Sequence, residues 1–139
     1  MRHLGLDIGD RRIGVAISDP EQILASPLTT IVRDDDEQAI SAIINLVTKY
    51  QIMKIIIGLP YSLSGNMGNQ AIKVKTFVDK LSQHTKTEIE LRDERLSTVA
   101  VERLLMEAGK KSQKRKEQRD AAAAAFILQG YLDSSKASG

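Results

Sequence analysis

The chain has 139 residues, of which 42% are hydrophobic and 27% charged, and a formal net charge of +2; this length and apolar share suit one globular domain with its own core. It has no cysteine, which excludes disulfides and thiolate zinc sites and fits a reducing compartment. A charge this near zero does not by itself mark a nucleic-acid binder, and aromatic residues at 4% argue against extensive base stacking, so any polyanion site must come from local clustering.

The first stretch, residues 4–19, reads as two strands joined by a tight polar turn. Alternation puts Leu4, Leu6 and Ile8 on one face and His3, Gly5, Asp7 and Gly9 on the other; the second strand repeats this with Ile13, Val15 and Ile17 against Gly14, Ala16 and Ser18. One face of the pair is therefore almost bare around a single carboxylate, Asp7, and something bulky can lie against it. The plainer alternative makes Asp7 a strand-end acid and assigns the glycines to the hairpin alone.

A third strand is expected over Ser26–Val32, with Pro27 near its start as an edge position allows. The acid run Asp34-Asp35-Asp36-Glu37 suits the start of a helix better than a metal site, and Ala39, Ile40, Ile43, Ile44 and Val47 continue at helical spacing to Tyr50. Met53–Leu59 contains Ile55-Ile56-Ile57, the signature of a central strand covered on both faces, and ends at Gly58-Leu59-Pro60. The Ser-, Gly- and Asn-rich loop Tyr61–Asn69 follows, where open α/β sheets bind ligands, and Tyr61 either stacks on a base or, as lone loop tyrosines more often are, is simply exposed.

A helix over about Gln70–Gln83 and a strand over Glu88–Arg92 come next, then Asp93-Glu94-Arg95-Leu96-Ser97-Thr98 and a helix Val99–Ala108 closed by Gly109. Lys110–Arg119 reads as a basic linker, Gln118–Leu132 as a last helix with five consecutive alanines, and Ser134–Gly139 as a disordered tail beyond a single domain of residues 1–133. The order β-β-β-α-β-α-β-α-α implies an α/β fold, a mixed five-stranded sheet with helices on both faces. Asp7, Asp10, Arg11 and Arg12 interrupt any apolar signal-peptide core, and Ala121–Leu128 is too short to span a bilayer, so the expected location is cytoplasmic.

Three acids are awkward to explain by solvation: Asp7 in the first strand, Glu94 just past the fifth, and Asp120 on the inward stripe Asp120, Ala123, Ala124, Ile127, Tyr131 of the last helix. Were they to converge, one or two hard divalent cations, Mg²⁺ or Mn²⁺, would relieve the repulsion, and a pair of such ions is a device for phosphodiester cleavage. The alternative is three unrelated acids, with Asp120 in a helix first turn and Glu94 paired to Arg92 or Arg95. Lys110, Lys111, Lys114, Arg115, Lys116 and Arg119 precede Asp120 and supply a sequence-independent phosphate-binding cluster, unless they are merely a solvated run. Arg11, Arg12 and Arg95 are similarly placed to hold phosphates. His3 and His84 have no metal-ligand spacing and read as surface or strand-end residues.

Asp7-Ile8-Gly9-Asp10-Arg11-Arg12-Ile13-Gly14-Val15-Ala16, Gly58-Leu59-Pro60, Asp93-Glu94-Arg95-Leu96-Ser97-Thr98 and Asp120-Ala121-Ala122-Ala123-Ala124 together resemble the YqgF/RuvX family of Holliday junction resolvases, also described as pre-16S rRNA nucleases. The resemblance spans nearly the whole chain. It implies a ribonuclease H-like fold, catalytic and metal-binding roles for Asp7, Glu94 and Asp120, and two Mg²⁺ or Mn²⁺ ions as cofactors. The implied partner is structured RNA or branched DNA, and cutting both strands of a symmetric junction favours a homodimer. Asp10 stands where a basic or small residue also suits the family's turn, so it either adjusts metal binding or is idle. Two other function classes remain: a non-catalytic nucleic-acid-binding or ribosome-maturation factor, and an actin-like nucleotide-binding module, which the Asp-x-Gly-x-x-x-x-Gly-x-Ala pattern also resembles but which needs two such lobes.

Overall fold

The computed structural model describes residues 1–59, 68–93 and 114–137. Five strands, β1 (Arg2–Ile8), β2 (Arg12–Ser18), β3 (Ala25–Val32), β4 (Ile52–Leu59) and β5 (Glu88–Asp93), form one mixed sheet in the order β3-β2-β1-β4-β5. β1 is antiparallel to β2 and parallel to β4, β2 is antiparallel to β3, and β4 is parallel to β5. Helices α1 (Asp36–Tyr50), α2 (Asn69–Ser82) and α3 (Lys114–Ala137) complete the described elements. The expected helix over residues 99–108 and loop residues 60–67 lie outside the described residues.

The period-2 pattern divides the sheet into two differently covered faces. Leu4, Leu6, Ile8, Ile13, Val15, Ile55, Ile57 and Leu59 bury against Ala39, Ile40 and Ile43 of α1 and Ala71, Val74, Phe77 and Leu81 of α2. On the opposite face Ala16 and Ile56 pack with Ala124, Ile127, Leu128 and Leu132 of α3. Ile55-Ile56-Ile57 is thus buried on both faces, as its unbroken apolar run requires.

α1 begins on Asp35, whose side chain accepts from the Glu37 amide at 3.1 Å, with Asp36 and Glu37 in the first turn, so the acid run serves as a helix start. Arg33 just before it donates from Nε to Asp36 at 2.9 Å, and this bond holds the Asp36 carboxyl below the usual carboxylate range.

The bare face of the β1–β2 pair is where α3 lies. A Cβ at Gly5 would stand 2.8 Å from Leu128 Cβ and 2.9 Å from the Ala124 carbonyl oxygen, and a Cβ at Gly14 would overlap the carbonyl of Asp120. Glycine here admits a neighbouring backbone, and the alanines of α3 supply the matching small surface.

Three expectations need correction. α3 begins at Lys114, so Lys114–Arg119 are its first turns and not a linker: Lys, Arg, Glu and Gln are good helix formers, and the stretch extends a helix already docked downstream. The helix also continues through Ala137, where a disordered tail was expected from Ser134; the Ser134 hydroxyl accepts from Arg92 at 2.9 Å, giving its last turns a partner on β5. His3 is buried at 4% exposure, with its ring 5.5 Å from that of Tyr131 of α3.

Burial, followed by the nearby Lys54 ammonium, lowers the His3 pKa. The neutral ring is therefore favoured by folding, and its contribution is complete above the unfolded value of about 6.5 and is lost as pH falls below it. Thermal unfolding between pH 7.5 and 5 should show wild type losing stability and His3→Phe losing less; parallel pH profiles would remove His3 from the account. Gly14→Ala forces a side chain into the α3 main chain, so a stability loss of about 1–3 kcal/mol is expected in denaturant titration.

Candidate active site

The candidate site is assembled from the carboxyl end of β1, the turn into β2 and the first turns of α3. In the antiparallel register Asp7 stands directly opposite Gly14, and such partners share a face with Cα atoms about 4.5–5.5 Å apart. Because the Asp120 backbone occupies the space above Gly14, the strand acid and the helix acid sit one strand apart on the same face. Asp7 is half-buried.

The turn that carries this arrangement is braced several times. The Gly9 amide donates to the Arg12 carbonyl at 2.9 Å, and the Arg33 amide donates to the Arg11 carbonyl at 2.8 Å. The Arg33 guanidinium donates to the Gly9 carbonyl at 2.8 Å and lies 4.7 Å above the Phe77 ring. A Cβ at Gly9 would stand 2.6 Å from the Arg12 carbonyl oxygen, so the tightness of the turn excludes other residues there. Arg33 is the positioning residue that sequence reasoning missed; the available signal was a cation between a strand end and an acidic helix start.

Arg12 and Asp120, both expected site residues, meet directly: Arg12 Nε donates to Asp120 Oδ2 at 2.6 Å, with side-chain exposures of 34% and 21%. Arg11 is exposed and Arg119 half-buried beside Asp120. Lys114, Arg115 and Lys116 lie on the first turns of α3. Glu94, Arg95, Lys110, Lys111 and Tyr61 lie outside the described residues. Asp10 is engaged elsewhere, 3.8 Å from Lys73 of α2, on the rim of a groove of about 430 Å³ that Arg33, Asp34, Asp36, Ile72 and Thr76 also line.

Among the described residues no three His, Cys, Asp or Glu side chains form a metal-binding cluster. Asp7 and Asp120 are carboxylates, the donor type by which Mg²⁺ is held together with waters and substrate phosphates.

A family model described as "RuvX: Holliday junction resolvase" matches residues 1–134, taking in the turn, both described acids and the whole of the sheet. The chain belongs to the RuvX family. Its curated relatives are named as nucleases: "Putative pre-16S rRNA nuclease" from Clostridium botulinum strain Hall is 47% identical over 134 residues, covering 96% of this chain and 98% of the relative. The protein of the same name from Chloroflexus aggregans is 48% identical over 130 residues, covering 94% and 92%. Membership of this family makes the chain a RuvX-type nuclease, and the fold agrees. Thermus thermophilus RuvC, solved with a Holliday junction substrate, superposes with a TM-score of 0.63 at 12% identity, covering 98% of this chain and 96% of that one. Fowlpox virus resolvase, solved with junction DNA, gives 0.58 at 13% identity, covering 97% and 99%. This RuvX-family chain therefore has the ribonuclease H-like sheet of the resolvases.

Arg33 holds the turn from outside the carboxylate pair, so its loss should act through geometry. Arg33→Met keeps much of the packing on Phe77 and removes the bonds to Gly9 and Asp36, with an expected cost of about 1–3 kcal/mol from the Gly9 carbonyl and Asp36 carboxylate left without it. Chemical denaturation measures it, and an unchanged midpoint would show that the turn stands without Arg33.

Proposed function

We propose that the chain is a divalent-metal-dependent endonuclease of the cytoplasm that cleaves phosphodiester bonds in structured nucleic acid, with precursor 16S rRNA as the preferred substrate. The observation that carries this reading is the packing of the Asp120 backbone onto Gly14 directly across from Asp7, which gathers two acids on one face of a RuvX-family sheet. The rRNA preference rests on relatives at 47–48% identity that carry the pre-16S name.

Asp7, Asp120 and Glu94 are the proposed catalytic and metal-holding residues. One or two Mg²⁺ or Mn²⁺ ions, when bound, supply the Lewis acidity that this chemistry needs at neutral pH. The chain's own contribution is to fix the carboxylates: β1 holds Asp7 in the ladder, and the glycine contact fixes the α3 backbone at Asp120. The cations Arg11, Arg12, Arg95, Lys110, Lys111, Lys114, Arg115, Lys116 and Arg119 are proposed to track the backbone phosphates. Contacts of this kind give affinity and register without reading sequence. Recognition then rests on the shape of the substrate.

A second reading, cleavage of junction DNA, is favoured by the description of the family model. It adds a symmetry argument, since two strands cut at one junction call for two copies of the chain.

The deciding experiment is a cleavage panel on precursor rRNA fragments, four-way junctions and linear duplex, with Mg²⁺, Mn²⁺ or chelator. The rRNA reading predicts metal-dependent cutting of the precursor above the other substrates, whereas cutting of junctions alone favours the second reading. Asp120→Asn and Glu94→Gln should lower cleavage by orders of magnitude while leaving binding intact in a filter assay. Cleavage by either variant at the wild-type rate contradicts its catalytic role. Replacing Lys114, Arg115 and Lys116 with Gln should weaken duplex binding at all sequences alike and reduce the log–log salt slope by roughly 0.9 per lost phosphate contact.

A further inference from the structure

The Arg12–Asp120 pair is the shortest ion pair among those described, at 2.6 Å, and it joins a braced turn to a helix whose backbone position is fixed by Gly14. Neither partner reaches the other by chance of a flexible loop. Arg12 leaves the start of β2, where its own carbonyl closes the turn onto Gly9 at 2.9 Å, and Asp120 rides on the main chain seated over Gly14. The guanidinium nitrogen lies on a carboxylate oxygen of the residue proposed as a metal ligand. Two cations cannot share that oxygen at full strength, so the arrangement is a competition.

We propose that Arg12 is a positioning residue that acts as an internal counter-ion to Asp120 and competes with a divalent cation for its Oδ2. This rests on the metal-dependent reading above. A second carboxylate on the half-buried face beside Asp7 adds repulsion and loses solvation, and the planar, permanently charged Arg12 group offsets both at Asp120. The same group sets a threshold for the metal. An ion has to outcompete a charge-assisted hydrogen bond before Asp120 can ligate.

Mn²⁺ titration by calorimetry on the free protein, with no nucleic acid present, tests this without reference to activity. Arg12→Gln should bind Mn²⁺ roughly fivefold tighter than wild type, the scale of one partly exposed ion pair. Arg12→Lys, which retains a charge but not the planar fork, should show a smaller rise and serves if the Gln variant does not fold. Arg11→Gln removes the same charge from the neighbouring, exposed position and should leave Mn²⁺ affinity nearly unchanged. In the double variant Arg12→Gln with Asp120→Asn the gain should vanish. Unchanged or weaker Mn²⁺ binding by Arg12→Gln overturns the proposal, as does an equal rise in Arg11→Gln, which would reduce the effect to net charge. If Asp7→Asn and Asp120→Asn both bind Mn²⁺ like wild type, the metal site itself fails and the counter-ion role fails with it. If those two lose binding while Arg12→Gln matches wild type, only the counter-ion role is lost.

Discussion

The approach of α3 to the sheet through Gly5 and Gly14 is the contact on which the molecule depends. Backbone meets backbone there, because a methyl group at either glycine would strike the helix. The consequence is positional: a helix seated on strand main chain has little freedom to slide or tilt, so a side chain leaving it has a defined origin. Asp120 inherits that precision from Gly14, and Asp7 inherits it from the ladder opposite. Sites carried by such elements hold their geometry better than sites carried by loops.

The two ends of α3 do different work. Its first turns bring Asp120 to the β1–β2 turn, where it pairs with Arg12. Further along, Tyr131 lies over His3, and the Tyr131 hydroxyl accepts from Lys54 at 3.0 Å. Lys54 also contacts Glu88 at 2.8 Å and Glu90 at 2.9 Å, and these bonds raise its pKa. Lys54 is 16% exposed, so this cluster is a partly desolvated anchor for the helix, whereas the Asp10–Lys73 pair at 3.8 Å with both side chains exposed adds little. Charge at one end of the sheet docks the helix, and charge at the other end gathers around the β1–β2 turn, where Arg12 meets Asp120.

Much of this was legible in the residues. The bare face around Asp7 announced a close neighbour, the alanine run announced which helix it was, and Ile55-Ile56-Ile57 announced a strand with two covered faces. The sheet and the order of its elements followed from period and punctuation. The start of α3 was hidden because a basic run opposes the helix dipole and so resembles a solvated linker, while its good helix formers carry the helix on regardless. His3 looked like a strand-end residue because nothing local reveals that Tyr131, far away in sequence, covers it. The pairing of Arg12 with Asp120 was equally unreadable: both residues were singled out, but for separate partners, and only the seating of α3 on Gly14 brings them together. Arg33 escaped notice for a related reason, since beyond its neighbour Asp36 its partners are a backbone carbonyl and an aromatic face from distant segments.

The most direct test of a carboxylate metal site built by the α3–Gly14 contact is anomalous diffraction from crystals of the protein soaked in Mn²⁺. The account predicts an anomalous peak within coordination distance of carboxylate oxygens of both Asp7 and Asp120, with Arg12 withdrawn from Oδ2. Mn²⁺ bound elsewhere, or a fully soaked crystal in which Arg12 still pairs with Asp120 and no peak lies between the two acids, would contradict it.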